Sequence, residues 1–281
     1  MTSDIRNTTM RSPGQKRERG VALLIVLLVT ALLIALIFEF SYATRISLNS
    51  AANFRDSQRA YFLARSGIYA FIKYGDKLRD VYIPQGEWGV VPLISSGDTE
   101  VRIKWESEQG KIPIQTVSKG NDAYLMLSKL FELKQIDQSI LDNQIVEKRN
   151  FYLVSELHTV MNNDEDYRKV APYVTVSPVS SFNVNYASPE VLQSLCRKLG
   201  IDDGVVGMIV NKRKSQPYLS KQEILDTPAM VSMVASYLDV TSSIFRVYSY
   251  ATVGGYTKQI EAIVNVSNLP PLSPVLYWRS L

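Results

Sequence analysis

The chain has 281 residues, 46% of them hydrophobic, with 31 lysines and arginines against 27 aspartates and glutamates. That length and apolar content exclude general disorder and leave room for two modest cores once any membrane segment is set aside. The net charge of +4 owes much to Arg6, Arg11, Lys16, Arg17 and Arg19; the remainder is close to neutral, which argues against a broad nucleic-acid footprint. A single cysteine, Cys196, excludes an internal disulfide, and a single histidine, His158, excludes a histidine metal cluster. No Gly-x-Ser-x-Gly elbow exists to supply a serine nucleophile beside His158, so the chain does not read as an enzyme.

The first element is apolar. From Val21 to Phe38 the sequence VALLIVLLVTALLIALIF is broken only by Thr30 and has the length of a bilayer-spanning helix. A cleaved secretory signal is the competing reading, and Ser41-Tyr42-Ala43 weakly resembles its small-x-small site. The apolar run is too long for that, and Phe38-Glu39-Phe40 intervene. Basic residues before Gly20 outnumber those just after the span, which places the N-terminus in the cytoplasm and the bulk of the protein in the periplasm. Past Arg45 the helix is expected to continue: Leu48, Ala52, Ala60, Leu63, Ala64, Ile68, Phe71 and Ile72 recur at helical spacing, an apolar stripe that should pack on a sheet.

The junction Lys16-Arg17-Glu18-Arg19-Gly20, followed at once by Val21-Ala22-Leu23-Leu24, resembles the type IV prepilin processing site. That resemblance implies cleavage between Gly20 and Val21 by a dedicated membrane peptidase, with methylation of the new amino terminus at Val21. Most pilins carry glutamate at the fifth mature position, where it can pair with the free amine of the subunit already at the base of the fibre. An α-amino group has a pKa near 8 and is costly to bury without a carboxylate. Here the fifth mature residue is Ile25. A subunit without that carboxylate suits the first, distal position, and its lack is the departure seen in K-type minor pseudopilins. The run Arg59-Ala60-Tyr61-Phe62-Leu63-Ala64-Arg65-Ser66-Gly67-Ile68 also resembles the opening of that family, GspK.

Further along, Val101-Arg102-Ile103-Lys104-Trp105-Glu106 alternates as a half-buried strand does, and Ile112-Pro113-Ile114 is a weaker candidate. Phe245 to Val253 and Lys258 to Val266 flank Gly254-Gly255 and read as a β-hairpin. Between these strand signals lies an internal repeat of about 65 residues. In the first copy Ile136-Asp137 precede Ile140-Leu141, Lys148-Arg149, Tyr152-Leu153, Glu156-Leu157 and Tyr173-Val174-Thr175-Val176. In the second, Ile201-Asp202 precede Val205-Val206, Lys212-Arg213, Tyr218-Leu219, Glu223-Ile224 and Tyr237-Leu238-Asp239-Val240. Ser188 as N-cap and Pro189 at the first helical position start a helix in the second copy.

The second copy resembles a helix-hairpin-helix unit, which often binds DNA phosphates. Its hairpin Leu199-Gly200-Ile201-Asp202-Asp203-Gly204 carries two carboxylates where a phosphate would approach, so repulsion is expected. Lys212, Arg213 and Lys214 read as a solvated basic helix end. A SAM-like helical pair inserted into a pilin fold is a feature of GspK proteins, and Phe182 to Leu195 and Phe245 to Ala251 resemble their motifs.

The resemblance implies an α+β type IV pilin-like fold: a long N-terminal helix on a small antiparallel sheet, with an inserted all-α SAM-like or helix-hairpin-helix domain of two repeats. The expected divisions are a leader at 1–20, a transmembrane part at 21–45, a first pilin part at 46–117, the insert at 118–240 (repeats at about 118–180 and 181–240), and C-terminal strands at 241–281. It further implies a type II secretion pseudopilus tip in the inner membrane. The partners would be I-type and J-type minor pseudopilins, the major pseudopilin, the prepilin peptidase and the inner-membrane assembly platform, with no nucleic acid. A minor pilin of a type IV pilus or competence pseudopilus, and a membrane-anchored periplasmic DNA-binding module, are the alternatives. Calcium is possible by the same resemblance; the family's acidic, tryptophan-containing stretch is missing, and Asp164, Glu165 and Asp166 are the densest carboxylates left. The competing reading is an acidic turn that opens a helix.

Overall fold

A computed structural model describes residues 14–79, 89–226, 234–267 and 273–281. The chain divides into two units, Met1–Asp56 and Ser57–Leu281. Helix α1 runs Gly14–Tyr74. Within the second unit its buried residues are Ala60, Ala64, Gly67, Ile68 and Phe71, a stripe of helical period whose small members let the backbone approach a sheet. Gly67 makes the closest approach: a Cβ there would sit 2.2 Å from Ser249 Oγ. Leu48, expected on the same stripe, is exposed.

The sheet has five strands in the order β1 (Gly89–Ser96), β2 (Thr99–Ser107), β7 (Ile244–Val253), β8 (Tyr256–Asn265) and β9 (Val275–Ser280), all neighbours antiparallel. Alternation in β2 and β7 points Val101, Ile103, Trp105, Phe245, Val247 and Ala251 at the core shared with α1. There Phe71 lies 5.7 Å from both the Trp105 and the Phe245 rings. Val253 pairs with Tyr256 across Gly254-Gly255, both at positive φ (55° and 84°), as a two-residue type I′ hairpin requires. Strand β1 precedes the first strand expected from the sequence.

The chain leaves the sheet after β2 and rejoins it at β7, beside β2. Between them, β3 (Ile112–Pro113) is followed by α2 (Asp122–Lys134), α3 (Gln138–Ile140), a π turn (Leu141–Ile145), α4 (Val146–Lys148), α5 (Glu156–Met161) and α6 (Asp164–Val170), and then β4 (Val174–Thr175). The second run begins with β5 (Phe182–Asn183), continues through α7 (Pro189–Lys198), α8 (Gly204–Ser215) and α9 (Lys221–Leu225), and ends in β6 (Leu238–Asp239). In each run the first and last short strands pair in parallel, Ile112 with Val174 and Phe182 with Leu238, closing the run on itself. Ile112-Pro113 thus belongs to such a pair and not to the five-stranded sheet. These helices bury a second core, separate from the one under α1.

Equivalent helices of the two runs, α2 and α7, pack together. Lys134 at the end of α2 pairs with Glu190 at the start of α7 (3.1 Å), and Lys198 at the end of α7 pairs with Asp122 at the start of α2 (2.6 Å). Lys134 also lies over the Tyr173 ring (4.3 Å) and Lys198 over Tyr237 (4.7 Å), so the contact is reciprocal and the helices antiparallel. Gln135 adopts a left-handed φ of 56° where the second run has Gly200 at 70°. One correspondence shifts: Phe151 is fully buried and Tyr152 is 76% exposed, whereas Tyr218 is only 2% exposed. The apolar Phe151 therefore fills the place that Tyr218 takes in the second run, one position earlier than the sequence comparison put it.

Candidate assembly surface

From Gly20 to Ala51 every side chain of α1 is exposed, Val21 and Ile25 included. Among the described residues this is the one helix long and apolar enough to cross a membrane, with a mean hydropathy of 3.3 over its best window. Such a surface is stable only in lipid or against other helices. In this exposed stretch Thr30 Oγ1 donates to the Val26 carbonyl (2.7 Å) and Thr44 Oγ1 to that of Phe40 (2.8 Å), so neither hydroxyl needs a solvent partner. Gly20 and Val21 are both helical, and nothing lies within 4 Å of a Cβ built on Gly20. Ile25 stands one turn beyond Val21 with an aliphatic side chain, so that turn offers no carboxylate to a neighbouring amine. The first thirteen residues of the expected leader lie outside the described residues.

Asp164, Glu165 and Asp166 form the first turn of α6 behind the N-cap Asn163, whose Oδ1 accepts from Glu165 N–H at 2.9 Å. Carboxylates there complement the helix dipole. Asp164 meets His158 Nε2 (2.5 Å), Glu165 meets Lys169 (2.8 Å), and Asp166 accepts from Asn163 (3.0 Å). Lys169 holds Glu165 below the usual carboxylate range. Among the described residues no group of three or more His, Cys, Asp or Glu side chains is arranged to hold a metal ion. Cys196 is buried, and burial pushes its thiol up to about 11, so it is inert packing at neutral pH.

At the second hairpin, Asp202 accepts from Gly204 N–H (2.7 Å) and Asp203 binds Arg197 (2.7 Å). The first copy repeats the device, Asp137 accepting from Ser139 N–H at 2.8 Å. Asp137 is thus the N-cap of α3, Asp202 closes the turn that enters α8, and Asp203 is committed to an ion pair. Arg213 is buried and donates to the carbonyls of Val184 (2.8 Å) and Ala187 (2.6 Å), while Lys212 lies over Tyr218 (4.3 Å). Two of the three basic residues on α8 thus hold the fold together.

The charged centre of the second unit was not legible in the sequence. Glu108, just past β2, is fully buried; Arg246 of β7 donates to it at 2.7 Å, Lys111 at 3.1 Å, and Thr175 of β4 through its hydroxyl. Arg246 also binds Glu261 of β8, and Lys111 also binds Glu106 (2.6 Å). Burial alone would raise the pKa of Glu108, but the two cations outweigh it and hold the group at about 2. Next to it, Gln109 Oε1 accepts from Ile244 N–H (3.2 Å), Ser107 Oγ and Ser242 Oγ share a bond (2.7 Å), and Asn183 donates to Ser242 (2.8 Å). The two chain crossings between the sheet and the helices are therefore tied by polar contacts. This joint fixes how the helical segment stands on the sheet.

A long N-terminal helix laid on an antiparallel sheet, with an apolar extension of membrane length, defines a pilin-like α+β fold. Among solved structures, a chain of the crystal structure of the GspK-GspI-GspJ complex from the enterotoxigenic Escherichia coli type 2 secretion system matches with a TM-score of 0.64 at 12% identity, covering 83% of this chain and 99% of that one. No protein-family model matches the sequence, and no curated protein matches it.

Proposed function

We propose that the protein is a minor pseudopilin of the type II secretion system, of the K type, that forms the tip of a periplasmic pseudopilus and starts its assembly for export across the outer membrane. The observation that carries this reading is α1: a basic run ends at Gly20, a membrane-length apolar stretch begins at Val21, and the same helix supplies the stripe that packs on the sheet. Cleavage after Gly20 would free a cationic amine at the membrane face. Ile25 lets the subunit offer that amine to a follower while leaving it no carboxylate for a predecessor, which suits the distal position. The helices between β2 and β7 would be the inserted SAM-like unit of two repeats. The likeness to a complex of GspK, GspI and GspJ supports I-type and J-type minor pseudopilins as partners, followed by the major pseudopilin.

Mass spectrometry of the membrane form tests the reading. In cells with an active prepilin peptidase the chain should begin at N-methylated Val21, and in cells without it the leader should persist. A chain that keeps residues 1–20 in the presence of the active peptidase overturns the assignment.

A further inference from the structure

The sheet ends on β9, and among the described residues no strand pairs with its outer edge. Leu281 N–H donates to the Gln259 carbonyl at 2.9 Å. Alternation along an antiparallel strand then turns the backbone of Arg279 toward β8 and those of Trp278 and Ser280 outward. The opposite edge, β1, is blunted by Pro92 and by a break in register beside it. From Tyr277 to Ser280, β9 has neither device.

Beside this open edge lies a cleft of about 200 Å³, floored by Ile263, Tyr277 and Arg279 and walled by Leu153, Tyr167 and Val176 of the helical segment. Two other charged groups reach it, and they satisfy each other: Arg246 binds Glu261 and Glu108, and the Tyr248 hydroxyl donates to Glu261 at 3.1 Å. Arg279 is exposed and makes no ion pair among the described residues. An open strand edge, a cleft of mixed apolar and charged lining, and a cation with no ion-pair partner among the described residues therefore adjoin one another.

We propose that this edge and cleft bind an extended, carboxylate-bearing segment of a partner protein. Its backbone adds to β9 through Trp278 and Ser280, an acidic side chain meets Arg279, and an apolar one enters the cleft, the division of labour usual when a peptide joins a sheet. The inference does not depend on the place of the subunit in a fibre.

The test is a fluorescein-labelled octapeptide of alternating valine and threonine with one central glutamate, titrated against the full-length protein in detergent micelles and read by anisotropy. Saturable binding is expected, weakened about tenfold or more when lysine replaces the peptide's glutamate. Ser280→Pro should weaken it as well, because it removes an outward N–H and no bond within the sheet. Arg279→Glu should reverse the preference toward the lysine peptide, a gain that misfolding cannot produce. Absence of saturation with either peptide overturns the proposal, as does binding indifferent to both substitutions. Equal displacement by acetate would mark a simple anion site and reject the strand groove. A dimer that Ser280→Pro dissolves would make a second copy the occupant and reject the partner assigned here.

Discussion

Replacing Glu108 by glutamine removes one charge from the joint and little else, because the amide keeps the shape and can still accept from Thr175. Lys111 and Arg246 would retain Glu106 and Glu261 but lose the fully buried member of the set. A carboxylate held at about 2 in place of 4.5 contributes roughly 3 kcal/mol at neutral pH, near the low end of what breaking a buried pair costs. The native pKa is depressed, so this contribution is complete above pH 4.5 and is lost as pH falls through about 2. Urea unfolding of the full-length protein in micelles, followed by tryptophan fluorescence, should show E108Q less stable by about 3 kcal/mol at pH 7, and by only about 1 kcal/mol at pH 3, where much of the wild-type advantage has gone. Glu100→Gln, at an exposed pair with Arg102, is the control and should cost no more than about 0.5 kcal/mol. A loss below about 1 kcal/mol at pH 7, or a gap that does not change with pH, would refute the account of the joint.

Gly110→Ala should destabilise by about 2 kcal/mol in thermal melts, because its Cβ would lie 2.7 Å from the backbone oxygen of Tyr186; Gly207→Ala on α8, with nothing within 4 Å, should be neutral or stabilising by up to about 1 kcal/mol. Gln135→Gly should raise stability by about 0.5–1 kcal/mol, since it relieves a left-handed residue at a helix end, and a fall in melting temperature would contradict that. Lys134→Glu and Glu190→Lys should each cost about 1 kcal/mol and the exchanged pair should recover part of the loss; a strictly additive double mutant would show that the contact is passive.

The long helix, the Gly-Gly hairpin and the order of the repeated segments could all be read from local pattern, because each rests on spacing within one stretch of chain. Strand β1 could not. Its GVVPLISS sequence holds a proline, and a proline argues for an edge strand or for no strand at all. The shift between Phe151 and Tyr152 was hidden because two adjacent aromatics leave the register open, and the packing of the neighbouring core decides between them. Glu108 was the least legible: its partners Thr175 and Arg246 lie 67 and 138 residues away, and no local rule marks a glutamate after a strand as buried. At the membrane end, the run from Arg19 to Ile25 was legible as chemistry, yet its role depends on an enzyme and on neighbouring subunits.

The crossed lysine pairs between α2 and α7 also limit how many units such a body can hold. Each run meets the other with the same patch it presents, an isologous contact of the kind that closes after two members, whereas head-to-tail stacking leaves a free face at either end. A third copy spliced into this segment would find no vacant face of that kind to join. The helical body can therefore diversify its loops, but it cannot lengthen by adding repeats as a solenoid does.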